Sequence, residues 1–296
     1  MFVADRLIYL QMHKTGCSHI TKILSRVVPG EIREPHSKLT FDPGDRYIIG
    51  SVRNPWDWYV SLWAYGCASK GALYTALTTP KKTARNLARA FIRALPNLAE
   101  AYSSFNRWLA VDDSRYKLWR GLYGDPEDVR LFRRWLAFSL SEEGKKDYIE
   151  GYAESNLRTF AGFMTYRFVS LYADYEKWNE HGQQLNDLNR LNAFFDRFSI
   201  VNRTIHLETL PHDLFKILNE LGYKVDSEIV GQGDRTNSSK HLFYKEYYDE
   251  VTERLVAEQE RFIIERYGYA PPSASADFFT TSTTIEPGNS AAGLQQ

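Results

Sequence analysis

The chain carries only two cysteines, Cys17 and Cys67. They are too few for a disulfide framework and fit a reducing compartment. Long apolar runs are absent as well. The opening MFVADRLIYLQMHK is broken by Asp5, Arg6 and Gln11, which makes it too short for a signal-peptide core or a membrane span, and no later segment reaches spanning length. A soluble, cytoplasmic protein is expected. An excess of charge is also missing, since 37 Lys+Arg balance 37 Asp+Glu. That excludes a basic field for nucleic acid over the whole surface and leaves room only for a local cationic pocket. The seven histidines never fall in HxH, HxxxH or HExxH spacing, so no metal site is expected.

Apolar and aromatic residues are plentiful. At 43% hydrophobic over 296 residues, the chain can bury a sizeable core. Aromatics reach 15%, and packing accounts for most of them, with some available to line a cleft for a sugar or a ring. One domain is expected over residues 1–270, interrupted by a mostly helical insertion at about 67–165. The clearest helical pieces there are Lys81–Ala94, Asn97–Leu109 and Pro126–Leu140. Such an insertion is a natural place for acceptor specificity. From Pro271 to Gln296 the chain turns to Ser, Thr, Pro and Gly, the composition of a disordered tail.

Two stretches share one layout. Arg6–Met12 reads as a strand, His13–Cys17 as a loop, and Ser18–Val27 as a helix with Ser18 as its N-cap. A weak short strand is expected within Glu31–Lys38. Arg46–Val52 reads as a strand buried on both faces, Asn54-Pro55 breaks it, and a helix over Trp56–Tyr65 follows with Pro55 in its first turn. Trp56, Tyr59 and Trp63 form a core-facing stripe on that helix. Further strand is expected at Phe198–Val201 and Arg203–Leu207, then a helix over Leu210–Leu221 ended by Gly222, a polar loop at Lys224–Lys240, and one long helix over Phe243–Tyr267. The pattern is α/β, with three layers and a central, mostly parallel sheet of about four to five strands flanked by helices. In such sheets, ligands bind beyond the carboxyl ends of the strands, where helix N-termini offer free N–H groups to an anion.

The first loop, His13-Lys14-Thr15-Gly16-Cys17-Ser18, has the chemistry of an anion grip. Gly16 allows close backbone approach, successive N–H groups can form a nest, and Lys14 adds a mobile charge. A Walker loop would place the lysine after the glycines, and here it precedes Gly16. A cysteine-phosphatase loop would need an arginine where Ile23 stands, so Cys17 reads as a small loop residue and not a nucleophile. The second loop contributes Arg53, at the end of a buried strand where an unpaired charge is costly, and Ser61, two helical turns further on. Each alone has an ordinary explanation, an ion pair for Arg53 and a helix filler for Ser61.

Taken together, the two loops resemble those of sulfotransferases that use 3′-phosphoadenosine 5′-phosphosulfate (PAPS), particularly the bacterial and carbohydrate-type members. HKTGCS resembles their 5′-phosphosulfate loop, and SVRNPWDWYVSLW their 3′-phosphate motif. VNRTIHLETLPHDLFKILNELGY resembles their strand with an acidic residue followed by a helix, and RTNSSKHLFYKEYYDEVTERLV their closing loop and last helix. The likeness covers 6–66 and 198–269, while Cys17 and His19 depart from the commoner residues. It implies a P-loop NTPase-like fold and PAPS as co-substrate without a metal. Lys14 would stabilise the leaving group. Thr15, Gly16, Cys17 and Ser18 would cradle the 5′ end, and Arg53 and Ser61 would hold the 3′-phosphate. Arg235, Asn237 and Ser238 would add donor contacts from the closing loop.

Transfer also needs a base for the acceptor hydroxyl, on a carbohydrate or small metabolite. His36, in EPHSKL, is the leading candidate and Glu34 the second. His206 and His212 have ordinary places beside a strand and at a helix start, His13 reads as fixing the loop through its backbone, and Glu208 as a helix cap. Two other functions stay open: a P-loop kinase-like transferase, which would need a Walker loop and magnesium ligands, and a non-catalytic nucleotide- or glycan-binding module.

Overall fold

Asp5 and Arg6 alone connect β1 (Phe2–Ala4) to β2 (Leu7–Tyr9), and so short a link forces the two strands antiparallel. The computed structural model describes residues 1–80, 114–226, 230 and 241–274. Three further strands complete the sheet: β3 (Gly30–Ile32), β4 (Tyr47–Val52) and β5 (Arg203–His206), in the order β3-β1-β2-β4-β5. β2, β4 and β5 are parallel to one another, and β1 is antiparallel to both of its neighbours. The sheet is therefore mixed and not mostly parallel, because the opening residues form a hairpin that their short apolar run does not announce.

Helices cover both faces. β2 sends Leu7 and Tyr9 into one core and Ile8 into the other, and β4 divides Ile49 and Ile48 in the same way, as a strand period of two requires. On one face lie α1 (Cys17–Val27), through Ile20, Ile23 and Leu24, and a later helix, Leu210–Glu220, through Leu214, Ile217 and Leu218. On the other lies α2 (Pro55–Cys67), buried around most of its circumference, so Trp56, Tyr59 and Trp63 are joined in the core by Trp58 and Val60. The same core takes in α5 (Val129–Leu140) and α7 (Phe163–Tyr172), which follow α3 (Ala72–Thr78), α4 (Ser114–Gly121) and the single turn α6 (Glu142–Lys145). After α8 (Tyr175–His181) and α9 (Leu188–Phe198) come α10 (the Leu210–Glu220 helix), α11 (Glu250–Gln259) and α12 (Arg261–Tyr267).

Local chemistry explains where several elements start and stop. α1 begins one residue before Ser18, and its N-cap is Gly16 at φ 76°, while Ser18 lies exposed in the first turn. The Asn54 side chain accepts from the N–H groups of Trp56 and Asp57, and Pro55 opens α2 as expected. α5 starts at Val129 and not Pro126, because Asp128 caps it by accepting from Leu131 N–H. Phe198 ends α9, and Ser199 makes only an isolated bridge to Ala173, so no strand forms over 198–201.

The single helix expected over Phe243–Tyr267 is divided. A 3₁₀ turn occupies Tyr244–Tyr247, Asp249 caps α11 in a reciprocal pair with Thr252, and Glu260 interrupts the path between α11 and α12. Glu260 is fully buried, and its carboxylate turns inward to cap α7. Oε1 accepts from Tyr59 Oη at 2.5 Å and Met164 N–H at 3.2 Å, and Oε2 accepts from Thr165 N–H at 2.8 Å and Thr165 Oγ1 at 2.6 Å. A Cβ on Gly162 would collide with that carboxylate.

The expected helices Lys81–Ala94 and Asn97–Leu109, most of the 224–240 loop and the tail from 275 onward lie outside the described residues. Ser273, at the start of the Ser-rich segment, donates to both carboxylate oxygens of Glu253. Among the described residues no helix is long and apolar enough to cross a membrane.

Candidate functional site

Parallel pairing of β2, β4 and β5 brings their carboxyl ends to one edge, and the three loops that follow meet there. Arg53 Nη1 donates to the Lys14 carbonyl at 3.1 Å, and Asn54 N–H donates to Glu208 Oε1 at 2.7 Å. Gly16 lies so close to the third loop that a Cβ would sit 2.6 Å from Leu207. Glu208 therefore ties α2 to β5 and does not cap the helix after it. α10 is steadied instead by Asp213, which accepts from His206 N–H, His206 Nδ1 and Thr209 Oγ1. Those donors hold the Asp213 carboxyl well below its usual range, against the opposing effect of burial.

Left-handed backbone concentrates at this edge. Among the described residues, four non-glycines have positive φ, and three of them are Lys14 (63°), His36 (59°) and Glu150 (65°). Such conformations are costly for residues with a Cβ and cluster where geometry serves a function. Lys14 is half-buried, with Nζ 4.0 Å from the centroid of the Tyr65 ring. Its pKa falls to about 8, first through burial and then through the nearby charges of Arg53 and Lys70. Among the described residues it has no carboxylate partner, so a cation stands in a cationic neighbourhood.

The other loop residues are more engaged than their composition implied. Thr15 is fully buried, and its hydroxyl donates to the Met12 carbonyl and meets Ser51 Oγ at 2.7 Å, with Tyr9 Oη completing the chain at 2.9 Å. The Thr15 hydroxyl thus braces the loop against β4, leaving its backbone as the part that can face a ligand. The Trp58 indole N–H donates to the His13 carbonyl at 2.8 Å and anchors the loop to α2. Burial raises the Cys17 thiol above its ordinary pKa, the opposite of an activated nucleophile. Arg53 is held by Asp57 through Nε and Nη2, both at 2.7 Å. With Nη1 on Lys14, three of the five guanidinium donors are used and two remain for a ligand. Ser61 is buried in α2. Arg235, Asn237 and Ser238 lie outside the described residues.

A cavity of about 300 Å³ opens beside the loop, on the His13 side and not the Lys14 side. His13 and His36 stack in its wall, with ring centroids 3.5 Å apart and planes 16° from parallel. The Gln11 carbonyl can only accept, so His36 Nδ1, at 2.8 Å, carries the proton and Nε2 keeps a lone pair. Burial lowers the pKa of His36. Burial also brings His13 down to about 2, helped by the charges of Arg167, His36 and Lys14. Both rings are therefore neutral at pH 7. Arg167 and Glu150 face them as a two-point ion pair, at 2.9 and 2.6 Å. Lys38 and Ser170 supply further polar wall, and Met12 and Leu171 the apolar part.

Sequence reasoning did not single out Lys38, Glu150, Arg167 or Ser170. Lys38 lies two residues after His36, but the others come from the helical insertion and its boundary, where no motif marks them. Glu34, the second candidate base, is exposed and does not line the cavity. Among the described residues no group of His, Cys, Asp or Glu is arranged to hold a metal ion. No protein-family model matches the chain, and comparison with curated proteins and with solved structures gives no match.

Proposed function

We propose that the chain is a PAPS-dependent sulfotransferase on a P-loop NTPase-like core, acting on the hydroxyl of a carbohydrate or small metabolite. The observation that carries the proposal is Lys14. It is a half-buried cation without a carboxylate partner among the described residues, held left-handed beside Arg53 where the parallel strands end. Such a group is stabilised by an anionic ligand, and the resemblance of both loops to the PAPS motifs supplies the ligand's identity.

In the transfer, the sulfur–oxygen bond to the 5′-phosphate breaks as a new bond forms to the acceptor oxygen. The leaving phosphate takes the bonding pair, and Lys14 meets its growing charge. The acceptor's proton passes to His36 Nε2, the nitrogen left free by the Gln11 contact. The cavity holding His36 and the Lys14 ammonium flank consecutive residues of one loop, so donor and acceptor would approach from its two sides. The Asp57 pairing of Arg53 favours a second reading, a nucleotide- or glycan-binding module without transfer, because it neutralises a charge meant for the 3′-phosphate.

Calorimetry separates these readings. 3′-Phosphoadenosine 5′-phosphate should bind far more tightly than AMP, and its affinity should weaken as pH rises through about 8, where Lys14 loses its proton. Lys14→Ala should reduce turnover more than donor binding. Equal affinity for AMP removes the 3′-phosphate role of Arg53, and loss of affinity alone removes the leaving-group role of Lys14.

A further inference from the structure

We propose that the cavity beside the loop binds a molecule of about one sugar ring that carries a carboxylate, with Lys38 reading the charge and the stacked imidazoles reading hydroxyls. Its role as acceptor rests on the sulfuryl-transfer reading; its binding does not.

Charge accounting in the wall points to the carboxylate. The cations are Lys38 and Arg167, and the one carboxylate is Glu150. Both Glu150 oxygens are taken by Arg167, whose guanidinium also lies over the Phe163 ring at 4.2 Å. Lys38 makes no contact ion pair among the described residues and feels Glu150 only through space, so the wall keeps one net positive charge, on an ammonium partly withdrawn from water with Nζ 5.7 Å from the rings of Tyr175 and Trp178. One free ammonium matches a monoanion. A phosphate dianion would leave one of its two charges unmatched by that wall.

The rest of the wall favours hydroxyls. Neutral imidazoles present one donor and one acceptor each, and a hydroxyl satisfies either. Stacking is the contact the His13 ring makes among the described residues, so both of its nitrogens are available. His36 offers Nε2, and Ser170, whose hydroxyl donates to the Arg167 carbonyl, adds an acceptor oxygen. The volume, about 300 Å³, falls at the low end of small-molecule sites, roughly 300–1,000 Å³. That suits a single ring better than a lipid.

The test is ligand-observed NMR titration of the full chain with glucuronate and glucose, without donor nucleotide. The wild type should prefer glucuronate at least tenfold. Lys38→Met, which keeps the aliphatic stem, should erase that preference, and Lys14→Ala should leave it intact. Equal binding of the two sugars, binding of neither, a preference that survives in Lys38→Met, or one that disappears in Lys14→Ala overturns the proposal. Glucuronate binding without any affinity for 3′-phosphoadenosine 5′-phosphate would sink the transferase reading and leave the cavity assignment standing. Equal transfer to charged and neutral sugars would do the reverse.

Discussion

Glu260→Gln should change how stability depends on pH more than it changes stability itself. The wild-type carboxylate is fully buried, and burial raises its pKa from an ordinary 4.5 to about 7, against the four hydrogen bonds that favour its charged form. Because the folded pKa lies above the unfolded one, the contribution is fully present below pH 4.5 and is lost as pH rises through about 7. The interval corresponds to about 3 kcal/mol. Glutamine imitates the protonated acid and cannot ionise. Its amide can donate to the Tyr59 or Thr165 hydroxyl, either of which can turn to accept, but its second hydrogen then opposes a backbone N–H. One orphaned N–H costs about 1–3 kcal/mol, nearer the lower figure if it is Met164, the longest of the four bonds.

Urea unfolding of both proteins at a series of pH values measures the difference. At pH 5 the wild type should be more stable by about 1–3 kcal/mol, and by pH 8 that advantage should shrink by about 3 kcal/mol. His13 works in the opposite direction. Its folded pKa of about 2 lies below the unfolded 6.5, so its contribution grows as pH rises between them. It is common to both proteins and cancels in the subtraction. A gap that stays constant from pH 5 to 8 would refute the assignment of a buried, titrating carboxyl at the N-terminus of α7.

Two further outcomes test the site. His36→Ala should leave nucleotide affinity nearly unchanged while abolishing transfer, measured with labelled donor; retained turnover removes His36 as the base. Asp57→Asn should release the Arg53 charge and tighten binding of 3′-phosphoadenosine 5′-phosphate relative to AMP, read by calorimetry. An unchanged ratio would mean that Arg53 does not touch the 3′-phosphate.

Much of the edge was legible in the residues. The apolar run of β4, the Asn54-Pro55 break and the Gly16 turn are local matters of propensity and dihedral, so the loop positions follow from them. The Arg53–Asp57 pair was legible too, since charges four apart meet on a helix, yet the strand-end setting of Arg53 drew attention to a ligand instead. Thr15 was legible only in part. A threonine in an anion loop invites assignment as a donor to the ligand, and only the position of Ser51 on the neighbouring strand shows that its hydroxyl is taken.

By itself, the sequence determined the burial of β4 on both faces, the Asn54-Pro55 break before α2, and the placing of Lys14 and Arg53 just beyond strands. Tertiary structure alone decided which of these groups have partners. His13 and His36 stack although they are 23 positions apart, Glu150 accepts from both Nε and Nη2 of Arg167, and Glu260, expected within one long helix, becomes an internal cap. The physical reason is that propensity and periodicity act within a few residues. Burial and charge compensation depend on which distant segments the folded core brings together.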